Sequence, residues 1–363
     1  MQKLVNGGKD MKTKKLGLLV LSLILAVSLA GLAVLAGCGG GEEEEEAEVY
    51  TLKIQSGYPR GDISMGLLEV FADSAYDRSD GRLVIEVYAE PEIVPLDELF
   101  MATKMGTLDM LQCGGTFWGG IVPVGEIEFG IPFAYDIPEK DTFEAKAAEI
   151  RRFFFEDGLV EILRREYGKQ GLYWLDMHTY GPVTIHSKYE VHTMADIAGK
   201  KIRDEGLWTR YHNSLGMVGT TDIPPEDVYT ALTTGALDMT QWDVSAISGL
   251  SWHEPAPYWV HPHQNEHIIG HILVNKARWD GLPAGLKQAL ADAAKDYWDA
   301  CVETYKQEVE NAYNAEGVIV CELDEATQAV WRAKALELWD ELATHDAACG
   351  EAIALLKDWR GVT

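Results

Sequence analysis

The sequence predicts an α/β protein of two similar lobes braced by one long helix, and three observations carry that prediction. From Tyr50 to Gln112, alternating and amphipathic runs follow each other in the order β-α-β-α-β, the pattern of a mostly parallel sheet with helices on both faces. Gly106-Thr107-Leu108-Asp109-Met110 recurs as Gly235-Ala236-Leu237-Asp238-Met239, each time after an amphipathic helix. One unit of helix, glycine stop and strand is therefore used twice, which fits two lobes better than one continuous sheet. Finally, Leu286, Leu290, Ala294, Trp298, Val302, Tyr305 and Val309 fall close to one face of a helix running to Tyr313, about 42 Å long and able to cross both lobes.

The front of the chain stands apart. Lys12, Lys14 and Lys15 precede an apolar run from Leu16 to Leu35, and Leu35-Ala36-Gly37-Cys38 follows. This resembles a lipobox, so residues 1–37 are expected to be a lipoprotein signal peptide with Cys38 as the lipidated residue. An uncleaved membrane anchor is the alternative, since about 20 apolar residues can span a bilayer; either places the globule outside the cytoplasm. Residues 38–48, Gly39-Gly40-Gly41 with Glu42 to Glu46, have the composition of a flexible tether.

The 363 residues are 47% hydrophobic and 25% charged, enough for one large or two medium domains. The net charge is −27, and removal of residues 1–37, with five Lys and one Asp, takes it to −31. Such acidity excludes a general nucleic-acid surface, and any anion site must be local. Beyond Cys38 lie Cys113, Cys301, Cys321 and Cys349, an even number with no metal-like spacing. Disulfides and buried free thiols are both open.

In chain order, Tyr50–Ile54 and Leu83–Tyr88 alternate as strands, with a helical face between Met65 and Ala75. Leu96–Met105 reads as a helix and Leu108–Gln112 as a strand. Pro123–Pro138 reads as an irregular apolar loop, Phe143–Tyr167 as one helix and Gly171–Leu175 as a strand. Val183–His186 opens a second α/β unit, His267–Val274 is a strand returning to the first lobe, Val318–Val320 is a short strand, and Glu325–Arg360 is helical. The resulting division gives lobe I as 49–180 plus 269–308 and lobe II as 181–268 plus 309–363.

Asp196 to Asp243 is the chemically loaded stretch. One strand signal ends on Arg203 and another on the cluster Gln241-Trp242-Asp243. Ligands in open α/β sheets sit beyond the carboxyl ends of strands, so these ends frame a small polar site with one fixed positive charge. Trp242 would shield that charge from water, and Phe117 and Trp118, after a first-lobe strand, would form the opposite wall.

Several segments in order and spacing carry a family likeness: S-D-G-R-L-V-I-E-V-Y, M-G-T-L-D-M, I-P-F-A-Y, D-I-A-G-K-K-I-R, P-P-E-D-V-Y-T-A-L and T-G-A-L-D-M-T-Q-W. From Tyr50 to about Ala343 the chain resembles the extracytoplasmic substrate-binding proteins of TRAP transporters, the DctP-like family. The resemblance implies the two-lobe periplasmic binding protein (Venus-flytrap) fold, a small organic acid as ligand and delivery to TRAP membrane permease subunits driven by a sodium gradient. It also implies that Arg203 pairs with the substrate carboxylate, which a guanidinium fork suits. A second arginine usual about twenty residues earlier is missing, and Met177-His178-Thr179-Tyr180-Gly181 stands there, adding Tyr180 to the site. That favours the branch binding monocarboxylates or 2-oxo acids. In that branch a cation, sodium or calcium, bridges the substrate, and here Glu266, Gln241 and Trp242 are its candidate holders, although Gln241 stands where an acid is frequent. No other cofactor is required.

Other classes fare worse. His253, His261, His263, His267 and His271 lack the H-E-x-x-H spacing of a metal-dependent hydrolase and read as surface or interface histidines. A receptor lipoprotein of an ATP-driven importer remains the alternative, and no enzyme is expected.

Overall fold

The computed structural model describes residues 48–362, and these form one compact unit. Cys38, the signal peptide and nearly all of the expected tether lie outside the described residues. Eleven strands form two sheets. The first has the order β2-β1-β3-β10-β4 and the second β11-β9-β5-β8-β6-β7.

The first sheet comprises β1 (Tyr50–Ser56), β2 (Leu83–Tyr88), β3 (Met110–Gly114), β4 (Leu172–Thr179) and β10 (Ile269–Asn275). β1 pairs in parallel with β2 and β3, whereas β10 runs antiparallel between β3 and β4. Strands β3 and β10 are buried along their whole length, as a sheet covered on both faces requires. Helices α1 (Leu68–Arg78), α2 (Leu96–Met105), α3 (Val124–Phe129), α4 (Phe143–Glu156) and α5 (Leu159–Lys169) belong to this part of the chain.

The second sheet comprises β5 (Thr184–Ser187), β6 (Lys201–Arg203), β7 (Val218–Thr220), β8 (Met239–Trp242), β9 (Tyr258–His261) and β11 (Ile319–Glu322), with α6 (Gly206–Ser214) and α7 (Pro225–Thr234). β6 pairs in parallel with β7 and β8, while β5 is antiparallel to β8 and β9. Three chain crossings join the sheets, and the first two, β4 to β5 and β9 to β10, pair with each other. Val183 N–H donates to the Asn265 carbonyl at 3.0 Å and Tyr180 N–H to the Ile268 carbonyl at 2.8 Å.

The long helix α8 (Ala284–Tyr313) packs on α1, α4 and β4 and also on the turn Ser245–Ser248 after β8. It therefore touches both halves. Helices α9 (Glu325–Ala343) and α10 (Ala347–Arg360) follow. α9 packs on α6, and α10 on α3 and α5 of the first part.

The repeated unit has a structural explanation. Gly106 and Gly235 both end their helices in the left-handed conformation, at φ 80° and 82°, where a side chain would be strained. Asp109 Oδ2 accepts from Lys53 N–H at 2.8 Å, and Asp238 Oδ2 accepts from Lys201 N–H at 2.9 Å. Each aspartate thus ties its strand to the backbone of a parallel neighbour.

Three expectations need correction. Phe143–Tyr167 is two helices, interrupted at Gly158, whose φ of +105° breaks the helical path. Pro123–Pro138 contains α3, and Glu325–Arg360 breaks after Ala343, where Asp346 caps α10 through Cys349 N–H at 2.7 Å. All four cysteines beyond Cys38 are free and buried.

Candidate functional site

Between the two sheets lies an open cavity lined by residues of both. Its walls come from strand ends, as open α/β sheets arrange their ligands. Tyr58 and Asp62 follow β1, Phe117 follows β3, and Tyr180 follows β4; Arg203 closes β6, with Glu205 and Trp208 beyond it, and Gln241, Trp242 and Asp243 close β8. Phe129, Val183 and Ile268 complete the lining.

Arg203 is 3% exposed. Its Nε–H donates to the Ile223 carbonyl at 3.1 Å, its Nη2 to Glu205 Oε1 at 2.5 Å, and its guanidinium carbon lies 5.1 Å from the centre of the Trp242 ring. Trp242 is held in turn by Nε1–H donation to Ser245 Oγ at 3.0 Å. Stacking and two hydrogen bonds fix the guanidinium plane, yet Arg203 Nη1 has no partner among the described residues, and neither has the buried Gln241 Nε2. Unpaired buried donors are costly. Two of them at one cavity are what an incoming carboxylate would relieve.

The lining also holds acids. Asp62 Oδ1 accepts from Ser64 and Met65 N–H, at 2.8 and 3.2 Å, and caps the turn Ile63–Gly66; burial raises its carboxyl above the usual value. Asp243 accepts from Ser245 N–H at 2.7 Å, and burial, with Asp62 adding its charge, pushes its carboxyl up to about 6. Tyr180 donates to the Tyr58 hydroxyl at 3.0 Å. Burial raises both phenols, so both are neutral.

Of the expected site residues, the fold brings Arg203, Gln241, Trp242, Tyr180 and Phe117 to this cavity but not the other two. Trp118 is turned into the core, where its Nε1–H donates to Tyr167 Oη at 3.2 Å and its ring stacks on His271. Phe117 and Trp118 are adjacent in a tight 3₁₀ turn, so one faces the cavity and the other cannot. Glu266 does not line the cavity either. Its carboxylate lies 3.0 Å from Lys146 Nζ and 3.5 Å from His263 Nδ1. Burial alone would raise it, but His263 and Lys146 hold it well below the usual carboxylate range. Of the three residues expected to hold a cation, Gln241 and Trp242 line the cavity and Glu266 does not.

Of the five histidines expected at the surface or an interface, His253 is half-buried and the other four are not exposed. His261, His263, His267 and His271 are buried; His271 lies 2.9 Å from Glu128, and His267 sits between Thr179 and the Phe143 carbonyl. Among the described residues, the one group of three with metal-capable atoms all within 4.8 Å of one another is His345, Asp346 and Cys349, remote in sequence from this cluster. No helix among the described residues is long and apolar enough to cross a membrane.

Residues 56–346 match the family described as bacterial extracellular solute-binding protein, family 7, or DctP. The chain belongs to that family. DctP-family proteins are extracytoplasmic solute receptors of TRAP type rather than enzymes. Curated relatives include a solute-binding protein of Chromohalobacter salexigens, 25% identical over 296 residues, covering 78% of this chain and 81% of that one. Another is the C4-dicarboxylate-binding periplasmic protein of Rhodobacter capsulatus, 25% identical over 307 residues, covering 79% and 84%. Among solved structures, a TRAP periplasmic solute-binding protein of Pseudoalteromonas atlantica with bound sodium and pyruvate superposes at a TM-score of 0.75, with 21% identity over 86% of this chain and 94% of that one. The two-lobe DctP-type fold is thus shared.

The cavity also takes in residues that the sequence did not single out. Asp62, Glu205, Tyr58, Phe129 and Trp208 reach the cavity. Only position after a strand end marked Tyr58, Asp62, Glu205 and Trp208, a signal shared with many ordinary loop residues, and Phe129, at the end of α3, lacked even that.

Proposed function

We propose that this DctP-family receptor captures a small organic acid in the cavity, with the ligand carboxylate seated on Arg203 Nη1 and Gln241 Nε2. The observation that carries the proposal is the pair of buried, partnerless donors at the meeting of β6 and β8. A guanidinium stays charged when buried and matches a carboxylate in geometry. The apolar aromatic walls would strengthen the pairing by lowering the local dielectric. Monocarboxylates and 2-oxo acids are the favoured class, supported by a relative named as binding monocarboxylate 2-oxoacids in Nostoc and by the lone arginine of the lining.

The lobes would close over the ligand by bending the paired crossings near Val183 and Asn265, and the closed receptor would dock on TRAP permease subunits. Cys38, if lipidated, would keep it at the outer face of the membrane; mass spectrometry of the mature N-terminus tests that, and an unmodified Cys38 ends it. A bridging sodium or calcium, supported by relatives solved with sodium or calcium and pyruvate bound, would need holders other than Glu266, which pairs with Lys146 and His263.

A thermal-shift screen of small acids tests the central claim, because a ligand that binds only the folded state raises stability. One or a few acids should raise Tm, and Arg203→Met should abolish the response while the protein stays folded by circular dichroism. Retained affinity in that variant would remove Arg203 from the ligand.

A further inference from the structure

The ionisable lining of the cavity is unbalanced for a simple anion. Asp62, Glu205 and Asp243 face it together with one guanidinium, Arg203. Glu205 already neutralises Arg203 at 2.5 Å. Neither Asp62 nor Asp243 has a Lys or Arg ion-pair partner among the described residues. A ligand with only negative charge would enter a site that is anionic overall, with its nearest countercharge half spoken for.

The remaining wall is aromatic. Tyr58, Phe117, Phe129, Tyr180, Trp208 and Trp242 contribute aromatic rings to the lining. Tyr58 packs edge-on to both Phe117 and Tyr180, with ring centres 6.4 and 5.6 Å apart, and Phe129 lies 6.4 Å from Tyr180. Aromatic faces beside carboxylates hold organic cations. A metal ion would need converging hard oxygens, and no three carboxylates of this lining bring ligand atoms within 4.8 Å of one another. An organic cation, with charge spread over several atoms, can bridge carboxylates that a metal cannot.

We infer that the ligand is a zwitterion: a small organic acid that also carries a cationic nitrogen, its carboxylate at Arg203 and Gln241 and its nitrogen between Asp62 and Asp243 against the Tyr58–Tyr180 wall. This rests on the carboxylate-receptor reading and narrows its substrate class. The nitrogen would supply the positive charge that the branch expectation assigned to a metal.

Isothermal titration of the mature protein decides it, with zwitterions (glycine betaine, L-proline, β-alanine, γ-aminobutyrate) set against anions lacking the nitrogen (pyruvate, propionate, butyrate, cyclopentanecarboxylate). Each is run in EDTA and again with sodium or calcium chloride. At least one zwitterion should bind in EDTA, at least 100-fold tighter than its nitrogen-free analogue. The double variant Asp62→Asn, Asp243→Asn should lose that zwitterion at least 30-fold and gain affinity for the analogue. Asparagine keeps the capping oxygen of Asp62, and circular dichroism verifies folding of the variant. If an anion binds the wild type as well as its zwitterionic partner, or only when sodium or calcium is added, the inference fails while the carboxylate receptor stands. If no acid of either set binds, both fail.

Discussion

Asp243 illustrates how a cavity-lining acid works against the fold that holds it. In the unfolded chain its carboxyl ionises near 3.8; in the native cavity, shared with Asp62, Glu205 and Arg203, it does so near 6. Between those values the native state holds more proton than the unfolded one, so this group's contribution falls as pH rises, and above 6 the full penalty is present. Asp243→Asn should therefore stabilise the ligand-free protein at pH 7 by about 1–2 kcal/mol in urea titrations, with the gain vanishing near pH 4. An unchanged midpoint at pH 7 would mean the carboxyl is not desolvated. Glu266→Gln should behave oppositely. It leaves Lys146 half-buried without its charge partner and should cost about 1–2 kcal/mol, yet ligand affinity should stay within threefold. A tenfold affinity loss would return Glu266 to the site.

At the scale of elements, the turn between α4 and α5 depends on one glycine. Gly158 has φ +105°, and an added Cβ would meet only Leu355 and Glu161 side chains at 3.8 and 3.9 Å. The space is open, so Gly158→Ala would be penalised by backbone conformation alone, at about 1 kcal/mol, read as a Tm drop of a few degrees with ligand affinity intact. This break shows where sequence reading stops. The apolar period runs on through both helices, and only backbone geometry separates them. Arg203 was legible because K-K-I-R is a short strand signal that ends in a charge. Phe117 and Trp118 were not separable, since a single residue of phase in a 3₁₀ turn decides which one meets the cavity. Glu266 looked free because Lys146, which claims it, sits far back in the chain on α4. The G-x-L-D-M repeat was legible as a repeat, but the work of its aspartates, tying backbone N–H groups of neighbouring strands, needed the pairing of the strands.

Over the whole molecule, buried histidines set the acid limit. Burial lowers His186 and His267 to about 4, His261 to about 3, and His178 well below its ordinary value. Unfolding lets them take protons near 6.5, so the stability they contribute is complete above that pH and is lost as pH falls toward 4 and 3. The urea midpoint of the wild type should decline steadily below pH 6.5, against the smaller opposite trend from Asp243; a flat profile would mean these rings are hydrated. The sheet order has a further consequence, for the newly made chain. β10 lies between β3 and β4, but the ribosome delivers it only after everything that builds β5 to β9. Until residue 275 emerges, β3 and β4 have no neighbour on their facing edges, and the first sheet cannot close. The protein is thus obliged to remain open for most of its synthesis, with exposed strand edges as the surface that a holding chaperone would meet.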